Sequence, residues 1–420
     1  MVKYTLQEEQ MLEDLRGLLK IKSVNGECGE VTAQAPLGRG VYDAIEYMLS
    51  LGRKFGFRTK NVDGYCGWIE MGEGDRMAAV VGHLDTVAAD SGWNFEPFDG
   101  TISDGRLYGR GASDDKGPSL VALYAMKALA DSKVPLGKRI RLILGGDEEA
   151  GGWRCMQRYK QTEELPQCAF TPDSEYPVTY AEKAILHIRI AKKLESGVMP
   201  IFLEGGNTIN VVPAAAKAVV NGVEYTETGK AAHAMEPQKG VNAVLKLCEK
   251  LRGQGVTHPF LELAEMANPE GLSIAFSDQM SGELTINPSI ARVSETEASL
   301  SCDLRIPVTI EKDTVLNAIE AAVRPLGFEV SVLHYLPPLF VDPRSALVTT
   351  LQKVYRECTG RDTPPAAIGG GTYARAFDNA VAFGALFEDE EVSYHKPNEF
   401  WSLDSIRKNF QIMANAIVVL

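Results

Sequence analysis

The chain is poor in cysteine. Its seven cysteines are odd in number and scattered, and none forms a CxxC pair. That excludes a disulfide framework and thiolate zinc fingers, and free thiols fit a reducing cytoplasm. Long apolar runs are missing too: none reaches the roughly 18–20 residues needed to span a bilayer. The opening MVKYTLQEEQMLEDLRGLLK is acidic and amphipathic, without the basic segment and apolar block of a secretory signal. A cytoplasmic location is expected. Positive charge is short as well. Lys and Arg number 43 against 56 Asp and Glu, a net charge of -13, which argues against a nucleic-acid partner or an anionic membrane surface. There is no internal repeat and no low-complexity tract.

What is present is a globular composition, 45% hydrophobic and 24% charged, over 420 residues. That length favours two domains over one core. Apolar spacing predicts helices over 7–19 and 41–55. MAAVVGH (77–83), RIRLILGGDEE (139–149) and QCAFTPD (167–173) are apolar runs that end in polar residues, as buried parallel strands do. Helical patterns at 116–131 and 152–161 lie between them. This alternation predicts an α/β domain with a mainly parallel sheet flanked by helices. From residue 179 the pattern changes to long alternating strands (179–193 and 291–305), with helices at 239–252 and 311–325 and a final FEVSVLHY. That predicts an inserted α+β domain over 179–336. The α/β character returns in 337–420 with a helix at 345–358, the strand AVAFGAL and a helix at 403–417. The catalytic domain is then 1–178 plus 337–420.

The chemistry falls at strand ends, where open α/β sheets place their sites. His83 and Asp85 lie in GHLDT, on one face of an extended segment. His83 can bind a metal while Asp85 orients its ring; a histidine bonded to a backbone carbonyl is the bland alternative. Asp114 and Asp115 follow a Gly-rich loop before a helix, and N-capping explains one of them. GGDEEAGG sets three carboxylates, Asp147 to Glu149, at one strand end. They repel unless a cation is present, and one left uncoordinated can act as a general base. Asp173 follows the next strand, and His395 lies far down the chain in VSYHKPNEFW. Two histidines and three or four carboxylates are the nitrogen and oxygen ligands that zinc or manganese takes in hydrolases, and the number suits two ions.

These motifs, with NVVPAAA, GKAAHA, GVNA and GGGTYAR, resemble the co-catalytic zinc peptidases of metallopeptidase family M20 over nearly the whole chain. GGGTYAR and DLRIP look closest to the PepV-type dipeptidases. The resemblance implies two divalent ions, zinc first, with manganese or cobalt as alternatives. It makes His83 and His395 the terminal ligands and Asp114 the bridging carboxylate, joined to Asp115 by a cis peptide. Glu149 and Asp173 complete one ion each. Glu148 becomes the general base and Asp85 the acid that orients His83. The inserted domain resembles the family's lid. There His233 stabilises the oxyanion, and Asn210, Arg305 and the stretch Gly370, Gly371, Thr372 bind substrate. His187, His258 and His334 lie outside the motifs and read as structural.

The expectation is a dipeptidase acting on small peptides, a monomer or a homodimer through the lid. Its rivals are deacylation of N-acyl amino acids, removal of a C-terminal residue, and a silent binding homologue. The last should have lost a ligand or the base, and none is missing. The segment ALFEDEEVSYHKPNEF departs from the Phe-Pro-Gly stretch usual before the last ligand, and the lid is short. Both put substrate preference in question rather than hydrolysis.

Overall fold

A computed structural model describes residues 1–195 and 199–420. The chain forms two compact units: residues 1–180, 341–366 and 372–420, and residues 181–340 and 367–371. The chain leaves the first unit within the strand Thr179–Glu182.

In the first unit the sheet runs Arg58–Val62, Cys66–Gly72, Arg139–Gly145, Met77–His83, Cys168–Thr171, Ala380–Ala382. The last four are parallel. The first two form an antiparallel hairpin on its edge. Every residue of Met77–His83 is buried. That is why this strand reads as an unbroken apolar run: both of its faces are covered. The helix Lys116–Asp131 packs on Met77–His83 and Arg139–Gly145, and on the closing helix Leu403–Val419. The helices Arg39–Lys54 and Arg154–Thr162 pack on the edge hairpin.

Parallel pairing brings the site-bearing strand ends together. His83 pairs with Gly145, and Leu84 N–H donates to Gly145 O. One residue earlier, Gly82 is required by close approach. A Cβ there would overlap Ser119 Oγ and Asp115 Oδ2, so the helix bearing Ser119 can seat against the strand only over a glycine.

The second unit is a seven-stranded antiparallel sheet. Its order is Val223–Thr228, Ala215–Val220, Ile201–Gly205, Thr285–Val293, Glu297–Ile306, Ala184–Lys193, Glu329–Leu336. Alternate residues Leu186, Ile188 and Ile190 join Leu300, Cys302 and Leu304 in a core with Val244, Leu247 and Ile319 from the helices. His187, Asp303 and Arg305 take the opposite face, as strand periodicity requires.

Three expectations change. The long strand over 291–305 is a hairpin that turns at 294–296. Ser294 Oγ accepts from Thr296 N–H and Glu297 N–H, so a hydroxyl local to the turn reverses the chain. A third helix, Pro259–Met266, joins those at Ala243–Gly253 and Lys312–Val323. It is too short for a clear period, but its start is written in the chain: Pro259 occupies the first turn and His258 Nδ1 accepts from Phe260 N–H. AVAFGAL breaks into Ala380–Ala382 and Ala385–Leu386, and the latter pairs with Ser174–Glu175. Among the described residues no helix is long and apolar enough to cross a membrane.

Gly82→Ala is expected to lower the unfolding free energy by about 2 kcal/mol, the scale of overpacking a closed core. The measurement is the urea midpoint, and an unshifted midpoint would mean the junction relaxes freely.

Candidate functional site

In the first unit His83 closes its strand with Nδ1 3.0 Å from the carbonyl oxygen of Asp85. A carbonyl only accepts, so Nδ1 carries the proton and Nε2 is turned toward the acids. Nε2 lies 3.0 Å from Asp114 Oδ1 and 3.7 Å from Asp173 Oδ2. The second oxygen of Asp114 is 3.0 Å from His395 Nε2, which is itself 3.0 Å from Glu149 Oε1. Asp114 therefore stands between two imidazoles, and each imidazole has a further carboxylate beside it. His83, Asp114 and Glu149 form one group whose ligand atoms all lie within 4.8 Å of one another; His83, Glu148 and Asp173 form another. The Asp114–Asp115 peptide is cis.

The three adjacent acids of GGDEE do not share one direction. Asp147 is fully buried and accepts from Arg154 N–H and Cys155 N–H, capping the helix Arg154–Thr162. Glu148 and Glu149 are left for the site. Their backbone N–H groups both donate to Asp85, to Oδ1 at 3.1 Å and Oδ2 at 3.0 Å. Asp85 Oδ1 is 3.5 Å from His83 Nδ1. The Asp85 side chain thus chiefly holds the Glu148–Glu149 turn, while its backbone carbonyl sets the ring of His83. Asp115 does not cap its helix. Its Oδ2 accepts from His83 N–H and Ser119 Oγ, and its Oδ1 is buried without a hydrogen bond among the described residues.

Other contributors carry no motif that points to them. Ser23 Oγ donates to Leu84 O, Asn25 Nδ2 to Gly146 O, and the buried Lys116 Nζ to Ile21 O. One short N-terminal segment so binds the loops of His83, Glu148 and Asp114. Tyr373, one residue past the GGGT stretch, sets its ring edge-on to His83, and its hydroxyl accepts from Asp147 N–H. A Cβ at Gly145 would overlap that ring. The paired glycines before Asp147 were the signal available for it.

Charge is out of balance here. Burial, then the charges of Asp173 and Glu149, pushes Glu148 well above the usual carboxylate range. Burial and Asp114 take Glu149 up to about 7, and the same two causes take Asp173 up to about 6. Burial works against Asp114, but His395 and His83 overcome it and hold its carboxyl well down. Burial opposes protonation of His83 and His395, yet the surrounding carboxylates raise both. Imidazole nitrogens and carboxylate oxygens are the donors that zinc or manganese takes, and a surplus of buried acid is what a divalent cation offsets. The residues fit a metal centre.

The remaining predicted residues divide between the two units. Asn210, His233, Arg305, Gly370 and Gly371 belong to the second unit, and Thr372 to the first. Ala234 N–H donates to Asn210 O, and Val211 and His233 form an antiparallel bridge, so those two motifs adjoin. Arg305 Nε and Nη2 pair with Asp303 at 2.7 and 2.8 Å, and Nη1 donates to Gly369 O. The bidentate edge of Arg305, expected to bind substrate, is thus paired within the strand. Thr372 Oγ1 accepts from Ala374 N–H. His187 bonds Asp303, and His334 lies beside His187.

A parallel-sheet domain with an imidazole–carboxylate cluster across its strand ends is a metallohydrolase architecture. Residues 79–418 match the family described as Peptidase family M20/M25/M40. "Putative dipeptidase YtjP" of Bacillus subtilis (strain 168) is 34% identical over 456 residues, covering 98% of this chain and 97% of that protein. Among solved structures, human carnosine dipeptidase 1 aligns with a TM-score of 0.66 at 14% identity, covering 98% of this chain and 96% of that one. The metallo-carboxypeptidase Sso-CP2 of Sulfolobus solfataricus aligns with a TM-score of 0.65 at 15% identity, covering 98% and 99%. The chain belongs to peptidase family M20/M25/M40.

With their pKa values raised, His83 and His395 hold protons at pH 7 that an incoming cation must displace. Lower pH strengthens the proton's hold, so cation affinity weakens as pH falls. Titrating zinc into metal-free protein at pH 7, in buffers of different ionisation enthalpy, is expected to release at least two protons per chain, since Glu149, raised to about 7, adds a share to those of the histidines. Heats that do not depend on the buffer would contradict this charge state.

Proposed function

We propose that this protein is a dinuclear metal-dependent dipeptidase, hydrolysing the peptide bond of dipeptides or short peptides. One observation carries the reading: Asp114 divides its two oxygens between His83 and His395, each of which has a second carboxylate within 3.7 Å. That is the arrangement of two ligand sets sharing one bridging group. His83 and Asp173 would hold one ion, His395 and Glu149 the other, and Asp114 both. Zinc fits first, with manganese and cobalt as alternatives. Two such ions supply Lewis acidity that lowers the pKa of a water and polarises the scissile carbonyl.

The chain's own groups do the rest. Glu148 is the acid beside the ligands that the scheme leaves uncoordinated, and its raised pKa suits a general base. It takes a proton from the attacking water on its carboxylate and returns it to the leaving amine nitrogen. Asp85 fixes the backbone of Glu148 and Glu149, so that this carboxylate and its neighbour keep their separation. In the second unit, taken as a lid, His233 supplies an imidazole donor for the oxyanion. Asn210, Arg305 and the backbone of Gly370, Gly371 and Thr372 bind the substrate. The dipeptidase names of the relatives support the substrate class.

Purified protein with zinc or manganese is expected to cleave a dipeptide panel and to lose that activity with EDTA. Glu148→Gln should lower kcat by at least about 100-fold, the usual scale for losing a general base, with metal content unchanged. Cleavage confined to N-acyl amino acids would move the assignment to a deacylase. An inert dipeptide panel together with no effect of EDTA would end it.

A further inference from the structure

The candidate ligands Asp114 and His395 both come from irregular loops, not from strand ends as His83 does. Something must fix those loops, and one buried side chain meets the need. Glu399 is 1% exposed and lies four residues after His395. Its Oε2 accepts from Arg110 Nη1 at 2.7 Å and from Gly111 N–H at 3.2 Å. Its Oε1 accepts from Ser113 N–H at 3.0 Å and Ser113 Oγ at 3.1 Å. All four donors belong to residues 110–113, the approach to Asp114. The backbone adds to the hold, since Gly109 N–H donates to Glu399 O.

The loop itself needs holding. His395 and Asn398 both have positive φ, 60° and 63°, in the left-handed region that non-glycine residues seldom adopt. Such a backbone persists only where contacts determine it. Asn398 supplies some, accepting from Asn94 N–H and donating to Gly92 O. Glu399 supplies the others, and those reach the second ligand loop.

The geometry points to Glu399 as a positioning residue for the metal centre, fastening the loop of His395 to the loop of Asp114 so that both ligands meet the cations in register. This rests on the reading of Asp114 and His395 as cation ligands. A carboxylate is needed because all four neighbours are donors. A glutamine would turn its own N–H groups against two of them. An Arg–Glu pair kept only for stability would not need the three further bonds to residues 111–113.

The test is a zinc titration of metal-free protein against a chromophoric chelator, for wild type, Glu399→Gln, Ser113→Ala and His395→Ala, with the unfolding midpoint of each apoprotein measured beside it. Glu399→Gln is expected to bind zinc about 10- to 100-fold more weakly, the scale for groups that orient metal ligands, while staying folded at the titration temperature. Its kcat should fall with KM little changed, and excess zinc should restore activity by mass action. Ser113→Ala removes one of the four donors, and its affinity should drop several-fold. Wild-type affinity in a folded Glu399→Gln, with His395→Ala impaired, overturns this role for Glu399 alone. Should Glu399→Gln not fold, wild-type affinity in Ser113→Ala overturns it. Wild-type affinity in His395→Ala would instead remove the ligand reading on which the role depends.

Discussion

Six carboxyl groups, from Asp85, Asp114, Asp115, Glu148, Glu149 and Asp173, converge on two imidazoles at one edge of a buried sheet, and that excess of negative charge is the constraint the rest of the first unit answers. Removing an ion from water costs several kcal/mol, and like charges at these separations add to it. The side chains alone answer only in part. Two imidazoles are drawn into the charged form, and Glu148, Glu149 and Asp173 are pushed toward the neutral one. The proposed carboxylate ligands Asp114, Glu149 and Asp173, with the uncoordinated Glu148 beside them, carry four negative charges when ionised, which two dications would balance.

Charge balance alone would not keep such groups apart, and the backbone does that work. Parallel pairing sets His83 beside Gly145, so the two loops that follow begin side by side. Asp85 reaches across to the second loop and takes both of its free N–H groups. Asp147 is drawn off to the start of a helix, where positive backbone dipole and unsatisfied donors favour it. Three consecutive acids thereby become one structural cap and two site groups. The segment Ile21–Asn25 ties the same loops from the N-terminal side. It joins parts distant in sequence, so loosening it would disturb several candidate ligands together.

What was legible in the sequence follows from range. Met77–His83, Lys116–Asp131 and Leu403–Val419 read correctly because their periodicity is local and their burial is nearly complete. Among the candidate ligands of the first unit, His83, Asp114, Glu149 and Asp173 stood out because each follows an apolar run or a Gly-rich turn, while His395 gained its weight only from the set. The hairpin at 294–296 was hidden, since both of its strands share one alternation and only a serine marks the reversal. Asp85 was seen, but its partners at Glu148 and Glu149 depend on strand order. Glu399 lies within VSYHKPNEFW and Tyr373 within GGGTYAR, but neither motif marks what these side chains bond. Their partners lie hundreds of residues away, at Ser113 and Asp147.

Arg305 is where motif and structure part most clearly. Taken from its motif alone, it offers a planar fork to a substrate carboxylate. In the structure that fork faces Asp303, which is fully buried and also bonded to His187. Opening the pair would leave a buried aspartate with only His187 beside it, which costs more than an exposed carboxylate could return. If Arg305 meets a substrate, it therefore does so with Asp303 still attached. Its contribution is then a rigid donor at Nη1, beside the Gly369 carbonyl to which that nitrogen already donates. A guanidinium half neutralised by Asp303 attracts a terminal carboxylate less strongly than a free one. Oriented donors, rather than charge, would then carry most of the recognition, and the second unit would select by the shape and length of the peptide more than by its net charge.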